Sequence, residues 1–375
     1  MKKTKKRQLL ILLPGKDINP IGGYKVAYQY ADYLSQKYDV HILYNHISEE
    51  FLKSVKHSMI NLLKLIIKFI IYVIKKTLKL YHAGEWYKFK NKILKDFVFI
   101  YKPYVFKKYK KDSIVFATAI TTSYLLSNIK RFNKKNCFYL IQDYEKWNGV
   151  TDEYVMNSYK LGLNNIVISD WLEDIVKSTG NPAYKLYNGL DFEYFKMTNP
   201  IENRKPYEVA MLYHLDDRKR CVDSFEALKI VKEKIPKLHV NIFGTPDKPD
   251  FLPEWYTYYK TPNKEQHNFI YNTAAIFVAA SDKEGFGLTP AESMQCGSAV
   301  VCTEAGGVLT FAKNNETALT SPVLNPKALA ENIIKLIQDN NLRITIAKNG
   351  HEFIKQFTME RAYNTLDKII EEHAN

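Results

Sequence analysis

Nine short apolar runs, most followed by a stretch with helical spacing, constrain the fold of this chain more than any other feature. In the first half "QLLILLPG", "DVHILYN", "SIVFATA", "CFYLIQD" and "NNIVISD" read as strands, and in the second "YEVAMLYH", "LHVNIFG", "AAIFVAAS" and "SAVVCTE" do the same. Helical patterns lie between them, such as Tyr24–Gln36 and Ser224–Lys234. This alternation is the pattern of stacked βα units around parallel sheets. The 375 residues exceed one ordinary core and fit two such domains. The join falls near "YNGLDFEYFKMTNPIENRKPYE", where Gly189, Pro200 and Pro206 interrupt any period. A last helix, Met359–His373, follows the second domain and is expected to pack back on the first. Four scattered cysteines without CxxC spacing suggest reduced thiols, not a zinc site or a disulfide framework. The apolar run Leu9–Leu13 is too short for a signal sequence and reads as a first buried strand.

The net charge of +14 is concentrated in one segment. Residues 51–111 hold 16 lysines against two acidic side chains, Glu85 and Asp96, and no arginine. Within it, "NLLKLIIKFIIYVIKKTLKLY" at 61–81 is long enough to cross a bilayer, but Lys64, Lys68, Lys75, Lys76 and Lys79 interrupt it. At 100° per residue these lysines mostly share one face, opposite Leu and Ile. A spanning helix is disfavoured, because lysines at bilayer depth cost several kcal/mol. An interfacial helix on an anionic leaflet is the expected partner surface, with aromatic and basic residues continuing to residue 111. The plain structural alternative is a helical insertion packed on the first domain with its lysines in water. Nucleic acid is disfavoured, since bidentate base contacts favour arginine.

The stretch "SDKEGFGLTPAESMQCG" sets Glu284 and Glu292 on either side of a glycine turn. "TPAE" has the spacing of a capping box, with Thr289 as N-cap, Pro290 at N1 and Glu292 at N3, and Gly297 would then close the helix. That reading leaves Glu284, Gly285 and Gly287 unexplained. A glycine turn from a strand into a helix start presents free amides and partial positive charge, which suits a phosphate. A carboxylate beside it accepts hydrogen bonds from sugar hydroxyls. Two further loops share this character: "EAGGV", with Gly306 and Gly307, and "PIGGYKVAYQYADYL", with Gly22 and Gly23. Open α/β sheets bind ligands at the carboxyl ends of their strands, where such loops lie.

"EGFGLTPAESMQCGSAVVCTEAGGV" strongly resembles the donor-site block of the family-4 retaining glycosyltransferases. "NGLDFEYF", the first glycine turn and "ALAENIIKLIQDNNLR" extend the resemblance over most of the chain, with segment 51–111 the weakest. It implies an α/β fold of the GT-B type: two Rossmann-like parallel-sheet domains facing across a cleft, with a basic helical insertion in the first. The domains would be 1–188 on the acceptor side (insertion 51–111), 189–357 for the nucleotide-sugar, and a returning helix at 358–375. By the same resemblance Glu284 contacts the donor sugar and Glu292 the ribose hydroxyls. Gly285, Phe286, Gly287, Leu288 and Thr289 surround the diphosphate. In "MLYHLDDRKRC", Arg220 takes the place of the usual lysine, His214 stands where an arginine is common, and Lys219 is a neighbour able to share the phosphate.

Gln142 and Asp143 stand where many relatives have a histidine; the first could hydrogen-bond a sugar hydroxyl, and the second could orient the acceptor or merely cap a turn. The stretch "QDYE" resembles bacterial rhamnosyltransferases, which suggests a deoxysugar donor. Tyr259 and Lys260 are placed near the base. No DxD motif has a strand-end context, so neither metal nor any other cofactor is expected besides a UDP-, dTDP- or GDP-linked donor. Same-face attack assisted by the leaving phosphate is implied, with the domains closing over the donor.

The resulting expectation is a retaining hexosyl-type transferase at the cytoplasmic face of the plasma membrane. It would act on a growing glycan or polyprenyl-linked acceptor and touch the membrane through 61–111. Two other readings stay open: a soluble transferase for a protein or small molecule, and a non-catalytic GT-B protein that binds a polyanion.

Overall fold

The computed structural model describes residues 6–374 apart from 17–20, 48–57, 79, 81–82 and 147–148. The chain divides into two compact units, Met1–Ile168 with Glu173–Leu186 and Tyr363–Asn375, and Ser169–Leu172 with Tyr187–Ala362.

In the first unit, strands β1 (Gln8–Leu13), β2 (Asp39–Asn45), β3 (Leu94–Val98), β4 (Ile114–Ala117), β5 (Cys137–Ile141), β6 (Asn164–Val167) and β7 (Tyr184–Lys185) form one sheet in the order β3-β2-β1-β4-β5-β6-β7. Every pairing is parallel. A parallel sheet is covered on both faces, which explains why β1 is an unbroken apolar run with Leu9 to Leu13 all buried. Helices α1 (Gly22–Leu34), α2 (Met59–Thr77), α3 (Ile120–Ser127), α4 (Asp152–Ser158) and α5 (Asp170–Ser178) follow in chain order.

The second unit repeats the plan. Strands β8 (Glu208–Tyr213), β9 (His239–Gly244), β10 (Tyr256–Lys260), β11 (Ile276–Ala279), β12 (Ala299–Thr303) and β13 (Ala318–Ser321) pair in parallel in the order β10-β9-β8-β11-β12-β13. Helices α6 (Cys221–Lys234), α7 (Lys264–Thr273), α8 (Leu288–Gln295), α9 (Pro326–Gln338) and α10 (Asn340–Ile354) complete it. Both sheets are therefore Rossmann-like, and each reverses its strand order once: between β1 and β4, and between β8 and β11. Such reversal points are where open α/β sheets bind ligands. The last helix, α11 (Met359–His373), belongs over most of its length to the first unit. There Tyr363 stacks on Tyr33 with ring centroids 4.1 Å apart, Asp367 pairs with Lys37 at 2.5 Å, and His373 packs on Tyr184.

The basic segment folds as α2 and β3. Ser58 caps α2 by accepting from the Asn61 amide at 3.3 Å. One side chain of α2, Tyr72, is buried; its hydroxyl donates to the Phe97 carbonyl at 2.8 Å and its ring meets Phe99 at 5.2 Å. Lys76 Nζ donates to the Tyr72 hydroxyl at 2.8 Å. The opposite arc, with Leu63, Ile66, Ile67, Ile70 and Ile74, is exposed. A helix packed on its domain by a leucine face does not fit this arrangement, because the apolar arc points outward. Among the described residues no helix is long and apolar enough to cross a membrane. Lys79 lies outside the described residues.

A charged cluster joins β2 and β3 through Asp39, His41 and Asp96. Asp96 accepts from Tyr109 at 2.6 Å and Lys108 at 2.9 Å and lies 3.2 Å from His41 Nδ1, while His41 Nε2 lies 3.4 Å from Asp39. Burial alone would lower the His41 pKa, but Asp96 and Asp39 outweigh it and raise it. A raised histidine stabilises the fold below the unfolded value of about 6.5, and that stabilisation disappears as pH rises through the folded value. The His41→Gln variant should therefore lose more stability at pH ~5.5 than at pH ~8.5. Urea unfolding of both proteins at the two pH values measures the difference, and an equal loss at both would rule out the ionic contribution.

Candidate functional site

The second unit builds its site from three loops at the carboxyl ends of β8, β11 and β12. The loop after β11 and the loop after β12 are joined like strands: the Glu284 amide donates to the Ala305 carbonyl at 3.0 Å, and the Gly307 amide to the Glu284 carbonyl at 2.8 Å. The β8 loop is joined to them through the Asp282 amide, which donates to the Arg218 carbonyl at 3.0 Å. These bonds fix the direction of the Glu284 side chain. Its Oε1 accepts from Lys219 Nζ at 2.7 Å and from Ser281 Oγ at 2.7 Å. The pair is largely enclosed, with the Glu284 side chain 13% exposed and that of Lys219 25%. Ser281 is itself buried and its carbonyl accepts from Thr303 Oγ1.

The helix start next to Glu284 differs from a capping box. Gly287, at φ 89°, is the N-cap of α8, so Thr289 lies in the first turn and Glu292 falls in the second. No side chain caps this end. The amides of Leu288 and Thr289 are therefore among the first-turn donors that a helix leaves without an internal partner. Gly297 supplies the left-handed residue after the helix, at φ 91°, as its sequence position implies. Glu292 is buried and accepts from the Tyr271 hydroxyl at 3.4 Å. Phe286 is buried against Phe311 and Phe357, so its side chain anchors the loop and only its backbone is available to a ligand.

Lys219 and Arg220 turn to different carboxylates, Lys219 to Glu284 and Arg220 to Asp223. Arg220 adopts φ 45°, a conformation natural to glycine, and its guanidinium is held by both carboxylate oxygens of Asp223 at 2.9 and 2.8 Å. That turn sends the two neighbouring side chains in different directions, and Lys219 is the one on Glu284. His214 Nδ1 accepts from the Asp216 amide at 2.9 Å, which places the proton of the neutral ring on Nε2. Desolvation first, then Lys219, lowers the His214 pKa and favours that neutral form. Asp216 of the "LDD" run is engaged by Arg218 at 2.7 Å. Tyr259 lies on β10, the edge strand, with β9 between it and β8. Lys260 pairs with Asp247 at 2.5 Å.

The first unit has a smaller constellation at its own reversal point. Gly22 opens α1 behind Ile21, with no side-chain cap. A Cβ on Gly23 would come within 3.4 Å of the Gln142 carboxamide, so the glycine admits that side chain. Gln142 Oε1 is buried with no hydrogen-bond partner, an acceptor suited to a ligand hydroxyl. Asp143 accepts from the Tyr144 amide at 2.8 Å, the local turn contact. The more enclosed carboxylate is Glu145, which sequence reasoning missed. It accepts from the Ile120 amide at the start of α3 at 3.0 Å and from the Tyr139 hydroxyl at 3.4 Å. Ser281 was missed as well; it meets Glu284 locally, three residues along, whereas only the fold brings Glu145 to the Ile120 amide. Among the described residues no group of three His, Cys, Asp or Glu side chains is placed to hold a metal ion.

Residues 195–353 match the family model "Glycosyl transferases group 1". An uncharacterized glycosyltransferase of Methanocaldococcus jannaschii is 35% identical over 98 residues, covering 26% of this chain and 28% of the relative. The capsular polysaccharide biosynthesis glycosyltransferase CapM of Staphylococcus aureus is 26% identical, covering 48% of this chain and 52% of its own. The N,N'-diacetylbacillosaminyl-diphospho-undecaprenol alpha-1,3-N-acetylgalactosaminyltransferase of Campylobacter jejuni is also 26% identical, covering 52% and 54%. The chain thus spans between about a quarter and about half the length of these curated relatives. Among solved structures, Anabaena HepE in complex with UDP and glucose superposes with a TM-score of 0.71 at 14% identity, covering 98% of this chain and 100% of that one. The fold is accordingly that of the GT-B glycosyltransferases: α/β, with two Rossmann-like parallel-sheet domains.

Proposed function

We propose that this protein is a retaining, family-4-like glycosyltransferase. It moves a sugar from a nucleoside-diphosphate donor to a glycan or lipid-linked acceptor at the cytoplasmic face of a membrane. One observation carries the reading: the Lys219–Glu284–Ser281 cluster beside an uncapped helix start at the β8/β11 reversal point. The match to "Glycosyl transferases group 1" supports it, as do a relative named for diphospho-undecaprenol and a neighbour solved with UDP and glucose.

In this reading the donor diphosphate lies on the Leu288 and Thr289 amides, with Lys219 and the Nε2–H of His214 as further donors. As the anomeric carbon–oxygen bond breaks, the electron pair leaves with the phosphate, and these groups stabilise the growing charge. Glu284 exchanges its Ser281 contact for a sugar hydroxyl, and Glu292 serves the ribose. The acceptor hydroxyl attacks the same face and passes its proton to the leaving phosphate. The outward apolar arc of α2, flanked by lysines, favours membrane contact over a soluble acceptor platform. An intact Glu284–Lys219 pair favours catalysis over a non-catalytic polyanion-binding protein.

Nucleotide release from UDP-, GDP- and dTDP-sugars, dTDP-rhamnose included, tests this reading. A UDP- or dTDP-sugar is expected to turn over, and Glu284→Gln should slow it about tenfold or more by removing a charged hydrogen-bond acceptor. Co-sedimentation with phosphatidylglycerol vesicles forms the membrane arm. No release from any donor defeats the enzyme reading, and no sedimentation defeats the membrane part.

A further inference from the structure

The first turn of α5 belongs to the second unit, although the rest of that helix belongs to the first. Ser169 starts it by accepting from the Leu172 amide at 3.4 Å, and Leu172 is fully buried. Two bonds then fasten Asp170. Its amide donates to Thr310 Oγ1 at 3.4 Å, and its Oδ1 accepts from the Tyr187 hydroxyl at 2.5 Å. The Tyr187 ring meets Phe357 edge-on at 5.3 Å, and Phe357 meets Phe286 at 5.8 Å, in the loop that carries Glu284. The turn is thus tied to the loops after both β11 and β12.

Between these fastenings stands Trp171, which is half-buried and has its indole on Gly306. A Cβ on Gly306 would lie 2.7 Å from Cδ2, 2.9 Å from Cε3 and 3.0 Å from Cε2 of that ring. Such near-equal distances place the glycine over the ring face, not at its edge. Gly306 is also the bridge partner of Glu284, and paired backbones lie about 4.8 Å apart. The indole therefore stands beside the carboxylate assigned to a sugar hydroxyl, with part of its surface open. A pyranose offers hydroxyls around its rim and C–H bonds on its faces. Glu284 suits the rim, and an aromatic face, negative at its centre, suits the C–H bonds. A ring already fixed costs little entropy when a ligand packs on it. Resting on the donor reading, we propose that Trp171 is the wall of the donor-sugar subsite, packing on the C–H face of the pyranose while Glu284 holds a hydroxyl. The nucleoside diphosphate has its own partners in the Leu288 and Thr289 amides and Lys219, so Trp171 acts on the sugar alone.

The test is calorimetric binding of UDP-glucose, dTDP-rhamnose, UDP and dTDP to the full chain. Trp171→Ala should weaken the sugar nucleotide that wild type binds by about tenfold, and leave the matching free diphosphate within about twofold. Trp171→Phe should recover most of the loss, because it keeps an aromatic face. Titrating the sugar nucleotide should change tryptophan emission in wild type, and Trp171→Phe should remove most of that change. Thermal melts of both variants separate lost binding from lost folding. An equal loss on sugar nucleotide and diphosphate would make Trp171 a prop for the loops and overturn the subsite. So would no loss on either, an emission change kept by Trp171→Phe, or binding of neither sugar nucleotide to wild type. Nucleotide release is read separately. Turnover that ignores Trp171→Ala defeats this subsite alone, and Trp171-dependent binding without turnover of any donor defeats the enzyme reading alone.

Discussion

Replacing Lys219 with alanine should lower kcat for the best donor by about 100- to 1,000-fold, whereas Arg220→Ala should keep most of it. The first figure corresponds to the roughly 3–4 kcal/mol typical of losing one fixed donor to a charge that grows in the transition state. Lys219 meets that condition, because its ammonium is held on Glu284 at 2.7 Å beside the start of α8. Arg220 does not, because both of its bonds go to Asp223, a carboxylate only 6% exposed. Loss of Arg220 should instead appear in stability, since Asp223 is left without its guanidinium. Arg220→Gly should be more stable than Arg220→Ala by about 1 kcal/mol, because glycine accepts the φ of 45° without strain. Steady-state kinetics and thermal melts on Lys219→Ala, Arg220→Ala and Arg220→Gly give the comparison. A dead Arg220→Ala beside an active Lys219→Ala would reverse the assignment.

This pair also marks where the sequence stops being readable. In "DRKR" three cations stand together, and the register that decides between them is set by one backbone angle that composition does not encode. The glycines and glutamates of the β11 loop are legible because their spacing follows from strand, turn and helix start. Glu145 is not, because it matters through the Ile120 amide brought from another loop, and Ser281 is not, because its hydroxyl is set on Glu284 by a turn whose geometry the residue types do not specify. The strands divide the same way. All nine apolar runs are strands, and all nine are interior, covered on both faces and therefore continuous in apolar residues. The missing four, β3, β7, β10 and β13, are the four sheet edges. "LKDFV", "YK", "YTYYK" and "ALTS" are short or carry polar residues, as edges must to avoid pairing with other chains. For α2 the sequence gives the two faces but not which one turns inward. That choice is made by Tyr72 finding the Phe97 carbonyl.

Gly307→Ala should be the most damaging single-methyl change in the second unit. A Cβ at Gly307 would lie 1.9 Å from the Gly285 carbonyl oxygen and 2.7 Å from that of Glu284, and both neighbours are backbone. Relief requires the β11 and β12 loops to part by an ångström or more, which breaks the bond from the Gly307 amide to the Glu284 carbonyl. Glu284 then leaves its place against Lys219 and Ser281. Misplacement by about 1 Å can cost on the order of 100-fold in rate, and overpacking adds about 1–3 kcal/mol of instability. Gly162→Ala is the matched control. Gly162 has φ +70°, so alanine there is strained as well, but nothing lies within 4 Å of the added carbon. It should lower stability by about 1 kcal/mol and leave turnover unchanged. If Gly307→Ala instead matches Gly162→Ala in both measurements, contact between the two loops is not what aims Glu284, and the geometry of the donor site has to be sought elsewhere.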